Sequence, residues 1–153
     1  MAKNPPEGMP RVTPYLFYDD LKGALDWLGG AFGLTTRMSI PGPEGKLMHA
    51  EMTMADGVVM MGQTGMEPTC VSPRSQNGAN TQSLYIYVDD VDAHCQRARA
   101  AGATIVREPE DQFWGDRMYT ARDFEGHSWS FAQAVREVSP EEIQQAIEKQ
   151  QAG

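Results

Sequence analysis

Aromatic and aliphatic residues alternate in two short segments of this chain that begin 70 residues apart. Residues 14–20 read Pro-Tyr-Leu-Phe-Tyr-Asp-Asp, and residues 84–90 read Leu-Tyr-Ile-Tyr-Val-Asp-Asp. Such alternation predicts a β-strand with one buried face, and an aspartate directly after the strand is a favoured helix N-cap. The two segments therefore predict that one strand–helix unit occurs twice in the chain.

Each predicted strand is followed by a helix and then by three more strands. The first helix carries apolar residues at helical spacing and ends at Gly33; the residues are Leu21, Ala24, Leu25, Leu28 and Phe32. The strands of the first copy are predicted at 12–18, 35–40, 47–54 and 58–63. The second copy has strands at 83–88, 103–107, 117–122 and 127–133, with a helix from Asp90 to about Ala101 that stops at Gly102.

These elements predict an α+β fold built from a tandem βαβββ repeat, with two curled mixed sheets that enclose a cleft. The first module spans residues 11–63 and the second spans 83–135, joined by a polar linker at 64–82. Residues 136–153 hold a short C-terminal helix, because Ser139-Pro140-Glu141-Glu142 has the form of a capping box with proline at the first position. Each module is too small to be stable alone, so one structural domain is expected.

Composition narrows the classes of partner. The 153 residues carry a net charge of −8 and contain no block of lysine or arginine, which argues against nucleic acid and anionic membranes as partners. No apolar run has the length of a membrane span, and residues 1–8 lack an apolar signal core, so a cytoplasmic location is expected. Cys70 and Cys95 have no metal-ligand spacing and are expected to be thiols.

The parity of the strands predicts which side chains face the cleft. On the strand 47–54, Met48, Ala50, Met52 and Met54 form the apolar face, so His49 and Glu51 point to the cleft. The same parity places Thr13, Tyr15 and Phe17 there, with Ser83, Tyr85, Tyr87 and Ser130 from the second module. Trp114 lies on a loop that can cover the cleft. Aromatic rings with a few polar groups are typical of a ligand site, although the same rings can also be ordinary core.

This arrangement resembles the vicinal oxygen chelate superfamily, which includes glyoxalase I, extradiol dioxygenases and the bleomycin- and fosfomycin-resistance proteins. The resemblance is carried by the tandem repeat, by the two strand-Asp-Asp-helix openings and by the stretch from Phe113-Trp114-Gly115-Asp116 to His127-Ser128-Trp129-Ser130-Phe131. It covers about residues 11–135 and is closest to the glyoxalase/bleomycin-resistance branch of uncharacterised bacterial proteins. It implies a homodimer with cavities completed at or near the subunit interface.

The resemblance also shows a departure from the metal-dependent enzymes. Their four ligand positions fall here on Thr13, Met61 (Met60 with a slip of one residue), Ser83 and Ser130. None of these residues supplies imidazole, carboxylate or thiolate, which Zn, Ni or Fe(II) require. The chain is therefore expected to have no metal and no cofactor.

Two functions remain open at this point. The first is a small-molecule binder of the antibiotic-resistance type, which sequesters an aromatic or flat amphipathic compound by stacking, with His49 and Glu51 as polar anchors. The second is a lyase or isomerase that uses a relocated metal or an acid–base pair of His49 and Glu51. A third interpretation is a scaffold with a vestigial pocket. The missing metal ligands favour the binder.

Overall fold

The computed structural model describes residues 1–153 and contains two copies of a βαβββ module. The first copy consists of β1 (Tyr15–Tyr18), α1 (Leu21–Phe32), β2 (Thr35–Pro41), β3 (Leu47–Met54) and β4 (Gly57–Gln63). The second consists of β5 (Leu84–Tyr87), α2 (Val91–Ala100), β6 (Thr104–Asp111), β7 (Asp116–Arg122) and β8 (Ser128–Ala134). A third helix, α3 (Pro140–Ala152), follows, and short 3₁₀ turns occur at Pro43–Gly45 and Pro73–Gln76.

Both sheets have the same topology, which confirms the predicted α+β repeat. The strand orders are β1-β4-β3-β2 and β5-β8-β7-β6, with one parallel pair at the edge of each sheet and antiparallel hairpins beside it. The parallel pairs arise because a helix crosses each sheet between its first and second strands. The edge strand of each parallel pair, β1 or β5, is the segment with the alternating aromatic pattern.

The helices begin and end where the sequence predicts. The carboxylates of Asp20 and Asp90 accept hydrogen bonds from the amides of Gly23 and Ala93, respectively, which caps α1 and α2. Gly33 ends α1 in the left-handed conformation, with φ of 81°, a value that favours glycine. For α3, Ser139 accepts a hydrogen bond from the Glu142 amide, but no residue of this helix is fully buried.

The modules are joined through the helix-covered sides of their sheets. Phe32 at the end of α1 packs on Trp129 and Phe131 of β8, with ring centroids 5.3 and 4.8 Å apart. The Trp27 indole donates a hydrogen bond to the Ala101 carbonyl oxygen, at 3.1 Å. Both modules therefore contribute to a single hydrophobic core.

This arrangement corrects one expectation about the cleft. The open faces of the two sheets are the faces away from the helices, and no hydrogen bond or aromatic ring pair joins one open face to the other. The sheets are not closed around a common cleft, because the helix sides, and not the open sides, are the surfaces that meet within the chain.

A buried carboxylate cluster also connects the modules. Glu125, in the turn between β7 and β8, accepts hydrogen bonds from the amides of Asp19 and Asp20 at 2.7 and 2.8 Å. Asp123 accepts from the Tyr18 hydroxyl at 2.7 Å and from the Trp129 indole at 3.0 Å. These contacts fix the turn of the second module against the start of α1.

Two histidines make structural contacts. His94 on α2 is half-buried, and its ring nitrogens contact the Tyr119 hydroxyl and, at 2.8 Å, the Phe32 carbonyl oxygen. The helical pattern of α2 alone does not reveal that α1 covers this position. His127 lies at the helix side, as its parity predicts, with Nε2 2.7 Å from the Phe17 carbonyl oxygen.

None of the helices is both long enough and apolar enough to cross a bilayer.

Candidate functional site

The open face of the first sheet carries a stacked aromatic pair. The rings of Tyr15 and Phe17 are 4.9 Å apart and nearly parallel, at 21°. They lie over Gly62 on β4, where an added Cβ would come within 3.0 Å of the Tyr15 ring and 3.1 Å of the Phe17 ring. Glycine at this position therefore lets both rings lie flat against the sheet.

Tyr15 is also tied to β3 by a polar contact. Its hydroxyl lies 2.8 Å from Nδ1 of His49. Partial burial, with smaller contributions from Cys70 and Glu51, raises the pKa of the Tyr15 hydroxyl above its ordinary value. The hydroxyl therefore stays protonated at neutral pH, and the ring keeps a neutral face for a ligand.

Glu51 hydrogen-bonds to Arg37 and not to His49, the partner considered from the sequence. Both of its carboxylate oxygens accept from Nη1 of Arg37 on β2, at 3.1 and 3.2 Å, and no hydrogen bond joins Glu51 to His49. Arg37 lies beside an irregularity in the pairing of β2 with β3, between Thr36 and Met38. The two candidate catalytic residues share a face but do not form a hydrogen-bonded acid–base pair.

The N-terminal arm lies over this part of the sheet. The Arg37 guanidinium donates from Nη2 to the Glu7 carbonyl oxygen at 3.0 Å. The arm and the sheet enclose a hollow of about 560 Å³ between residues 4–11 and Thr13, Arg37, Glu51 and Met60. Thr13 therefore lines the same hollow as the Glu51 carboxylate.

The linker forms a wall beside the aromatic pair. A cavity of about 400 Å³ lies between Tyr15 and Phe17 on one side and residues 69–82 on the other. Its polar lining is almost uncharged and consists of Thr69, Cys70, Ser72, Gln76, Asn80, Thr81, Gln82 and His127. The linker was expected only to connect the modules.

The open face of the second sheet carries a second aromatic pair around a carboxylate. The Tyr85 and Tyr87 rings meet edge to face, with centroids 5.7 Å apart. Both hydroxyls donate to Oδ2 of Asp116, at 2.6 and 2.9 Å. The Trp114 indole donates to the Tyr85 hydroxyl at 3.1 Å, which fixes the loop beside the pair.

Burial and the hydrogen bond to Asp116 raise the pKa of Tyr85 to about 12. The hydrogen bond from Tyr87 to Asp116, with a smaller contribution from burial, raises the pKa of Tyr87. Both phenols therefore keep the proton that they donate to the carboxylate. Asp116 itself is only 6% exposed.

The positions of the superfamily's metal ligands do not form a donor set here. Met61 is fully buried in the core, so this predicted ligand position does not reach the open face; Met60, one residue earlier, pairs with Tyr15 and lines the hollow. Ser130 is 2.9 Å from the Thr120 hydroxyl, and Ser83 is an exposed residue just before β5. Hydroxyl and thioether groups do not fit Zn, Ni or Fe(II), and no three His, Cys, Asp or Glu side chains cluster elsewhere.

The predicted lining residues thus divide into two sites within one chain. Tyr15, Phe17 and His49 are together on the first sheet, and Tyr85, Tyr87 and Trp114 are together on the second. Strand parity identifies the strand residues of both sets, and Trp114 is identified by its place in the loop before β7. Strand parity did not identify Arg37, which sits at a bulge, or Asp116, although Asp116 opens a strand on the same face as Met118 and Thr120.

Known proteins share this architecture. The model of the Glyoxalase/Bleomycin resistance protein/Dioxygenase superfamily matches residues 8–131. The uncharacterized protein Mb0911c of Mycobacterium bovis is 40% identical over 152 residues, covering 94% of this chain and 96% of the relative. The uncharacterized protein Rv0887c of Mycobacterium tuberculosis is also 40% identical, covering 94% and 86%.

Solved structures also share the fold of this chain. TioX from Micromonospora sp. ML1 is 38% identical, with a TM-score of 0.66, over 83% of this chain and all of that one. The fosfomycin resistance protein FosX from Listeria monocytogenes shares the fold, with a TM-score of 0.61 at 15% identity, over 88% and 97%. Together with the tandem βαβββ modules, these matches show that the chain belongs to the glyoxalase/bleomycin resistance protein/dioxygenase superfamily.

Proposed function

We propose that this protein binds a flat aromatic or amphipathic small molecule by stacking, without a catalytic metal, and so sequesters it. The observation that carries the proposal is the stacked Tyr15–Phe17 pair, which lies over Gly62 on an open sheet face. Tyr15 and Tyr85 are 39% and 45% exposed, although aromatic side chains are usually buried when a partner surface is available. Exposed, ordered rings of this kind suit a planar ligand.

The polar groups near the rings support a binding role more than a catalytic one. His49 is engaged with Tyr15, and Glu51 is engaged with Arg37, so each already has a partner in the chain. The two residues do not hydrogen-bond to each other, so they do not form the acid–base pair that proton abstraction would use. In this proposal His49 and Glu51 orient polar groups of the ligand and hold the aromatic face in place.

We further propose that a second copy of the chain completes the cavity. Neither open face is covered by a helix or a second sheet within the chain, and members of the superfamily bind small molecules and often form dimers. Apposition of the first sheet of one copy to the second sheet of the other would bring the Tyr15–Phe17 and Tyr85–Tyr87 pairs to opposite walls of one cavity. A ligand would then be held between two aromatic surfaces.

The first test is a thermal-shift screen of aromatic compounds, including aromatic antibiotics, followed by calorimetry of the hits. We expect Tyr85→Ala to lower the affinity for each hit by about tenfold, the loss of roughly 1–2 kcal/mol of stacking. The exposed residue Val135 provides a control, because Val135→Ala removes apolar surface without an aromatic ring. Hits that bind Tyr85→Ala and Tyr15→Ala with unchanged affinity would refute stacking.

The second test separates binding from metal-dependent catalysis. Protein purified without chelator is analysed for metals and then titrated with Zn, Ni, Mn and Fe(II). We expect less than one-tenth equivalent of bound metal and no thermal stabilisation. Near-stoichiometric metal that is lost in Glu51→Ala would overturn the proposal and indicate a relocated catalytic site.

A further inference from the structure

We propose that Tyr85, Tyr87 and Asp116 form a binding site for an organic cation, such as the alkylammonium or quaternary ammonium group of the ligand. This inference rests on the proposed function and specifies the chemical class of the ligand at the second sheet. The site consists of two aromatic walls and one carboxylate behind them.

The two tyrosine rings form a corner that fits a compact cation. They lie at 69° to each other with centroids 5.7 Å apart, and both are exposed, Tyr85 to 45% and Tyr87 to 60%. A cation within about 6 Å of a ring centroid is attracted by the negative face of the ring. Two faces set at a wide angle allow one cation to contact both.

Asp116 supplies negative charge that no cation of the chain neutralises. It is 6% exposed, and its hydrogen-bond donors are the hydroxyls of Tyr85 and Tyr87. The adjacent Arg117 points to the other face of the sheet, where it forms ion pairs with Asp92 and Asp111 at 3.0 and 3.1 Å. A buried carboxylate without a positive partner is costly, and a bound cation beside the rings would relieve that cost.

The hydrogen bonds also strengthen the rings as cation sites. A phenol that donates its proton to a carboxylate has a more electron-rich ring, because the negative charge draws the hydroxyl hydrogen and leaves density on the oxygen. Tyr85 keeps this proton at neutral pH, since its pKa is raised to about 12. The carboxylate therefore acts on a bound cation both directly and through the two rings.

The geometry favours an organic cation over a metal ion. A metal ion needs several oxygen, nitrogen or sulfur ligands, whereas the single carboxylate here has Oδ2 occupied by two hydroxyls. No group of three acidic, histidine or cysteine side chains that could hold a metal ion occurs here. Quaternary ammonium groups are recognised by aromatic faces, because the negative face of each ring attracts the cation.

The test compares choline with 3,3-dimethylbutan-1-ol, its neutral isostere, on the full-length protein. Binding is followed by the indole N–H resonance of Trp114, which donates to Tyr85 and is assigned with Trp114→Phe. We expect choline to bind at least about tenfold more tightly than the neutral alcohol, the range of a desolvated cation–π contact. Asp116→Asn should reduce this ratio to about twofold or less.

Two more variants isolate the cause. Asp26→Asn removes one negative charge from an exposed position of α1 and should leave the ratio unchanged. Tyr87→Leu removes one of the two aromatic rings. It should lower the affinity for choline by about fivefold and leave the affinity for the alcohol almost unchanged. Tyr87→Leu leaves Asp116 in place, so the test holds even where Asp116→Asn is poorly folded.

The experiments distinguish a wrong cation site from a wrong proposed function. The cation site is overturned if the protein does not bind choline, or if it binds choline and the alcohol with equal affinity. It is also overturned if the ratio of the two affinities is unchanged in Asp116→Asn and Tyr87→Leu. If neutral aromatic hits of the thermal-shift screen still lose affinity in Tyr85→Ala, stacking stands without it. If no aromatic compound binds at all, the proposed function fails as well.

Discussion

The Ser72 hydroxyl donates a 2.6 Å hydrogen bond to the carboxylate of Glu125, and this contact ties the linker to the turn of the second module. Glu125 is 2% exposed and accepts from the amides of Asp19 and Asp20 as well. Three donors thus compensate one buried carboxylate, and they come from the first module and the linker. The cluster connects all three parts of the chain at a single side chain.

Glu125→Gln should destabilise the protein by about 2–3 kcal/mol. The amide would turn an N–H group toward a donor, and it would replace charge-assisted hydrogen bonds by weaker ones. The measurement is the free energy of unfolding in urea. Glu137→Gln changes the same functional group at an exposed position and should cost less than about 0.5 kcal/mol. Equal effects of the two variants would contradict the role of Glu125.

Arg37→Met should destabilise the protein by about 1–2 kcal/mol, because it leaves the Glu51 carboxylate buried without its partner. The Glu51 side chain is 6% exposed, whereas that of Arg37 is 33% exposed, so water screens part of the attraction. The double variant Arg37→Met/Glu51→Leu should recover most of the loss. Urea unfolding of the four proteins of this cycle gives the coupling energy, and strictly additive losses would rule out a coupled pair.

Gly62→Ala should disturb the aromatic pair. The new Cβ would lie 3.0–3.1 Å from the rings of Tyr15 and Phe17, closer than ordinary contact distance. We expect a loss of about 1 kcal/mol in unfolding free energy and a weaker affinity for any ligand that stacks on Tyr15.

Gly30→Ala is a matched comparison for Gly62→Ala. An added Cβ at Gly30 in α1 meets nothing within 4 Å, and alanine is a better helix former than glycine. This variant should raise the unfolding free energy by about 0.5–1 kcal/mol and leave ligand affinity unchanged. Urea unfolding and calorimetry check both expectations, and a stabilising Gly62→Ala would refute the steric argument.

The stability of the protein should fall as pH drops below about 6.5, in part because of His94. Burial, opposed by the Phe32 carbonyl and assisted by Arg97, lowers the pKa of His94 in the folded state below its ordinary value of 6.5. The unfolded chain therefore takes up this proton first. The stabilisation that His94 contributes in its neutral form is complete above pH 6.5. It is lost as the pH falls through the pKa that His94 has in the folded protein.

His94→Gln checks this expectation. Unfolding free energies of the two proteins are compared at intervals from pH 7.5 to pH 5. The variant should have a lower stability at pH 7.5 but a smaller decline toward pH 5. Parallel curves for the two proteins would show that another group causes the decline.

The sequence by itself determined the local structure and the side of the sheet on which each side chain lies. Side chains alternate with a period of two along a strand, so Tyr15, Phe17, Tyr85 and Tyr87 had to share the face opposite Leu16 and its equivalents. Capping aspartates and Gly33 fixed the ends of the helices by local hydrogen bonds and backbone conformation. The repeat of this pattern determined the tandem modules.

Only the tertiary structure decided how the two modules meet. Their helix sides join through Phe32 and Trp129, so the two aromatic faces remain separate within one chain. It also decided the burial of His94 under α1, the pairing of Arg37 with Glu51 across a bulge, and the place of Asp116 behind two tyrosines. These contacts join residues far apart in the chain, and the free energy of such packing depends on surfaces that no local pattern specifies.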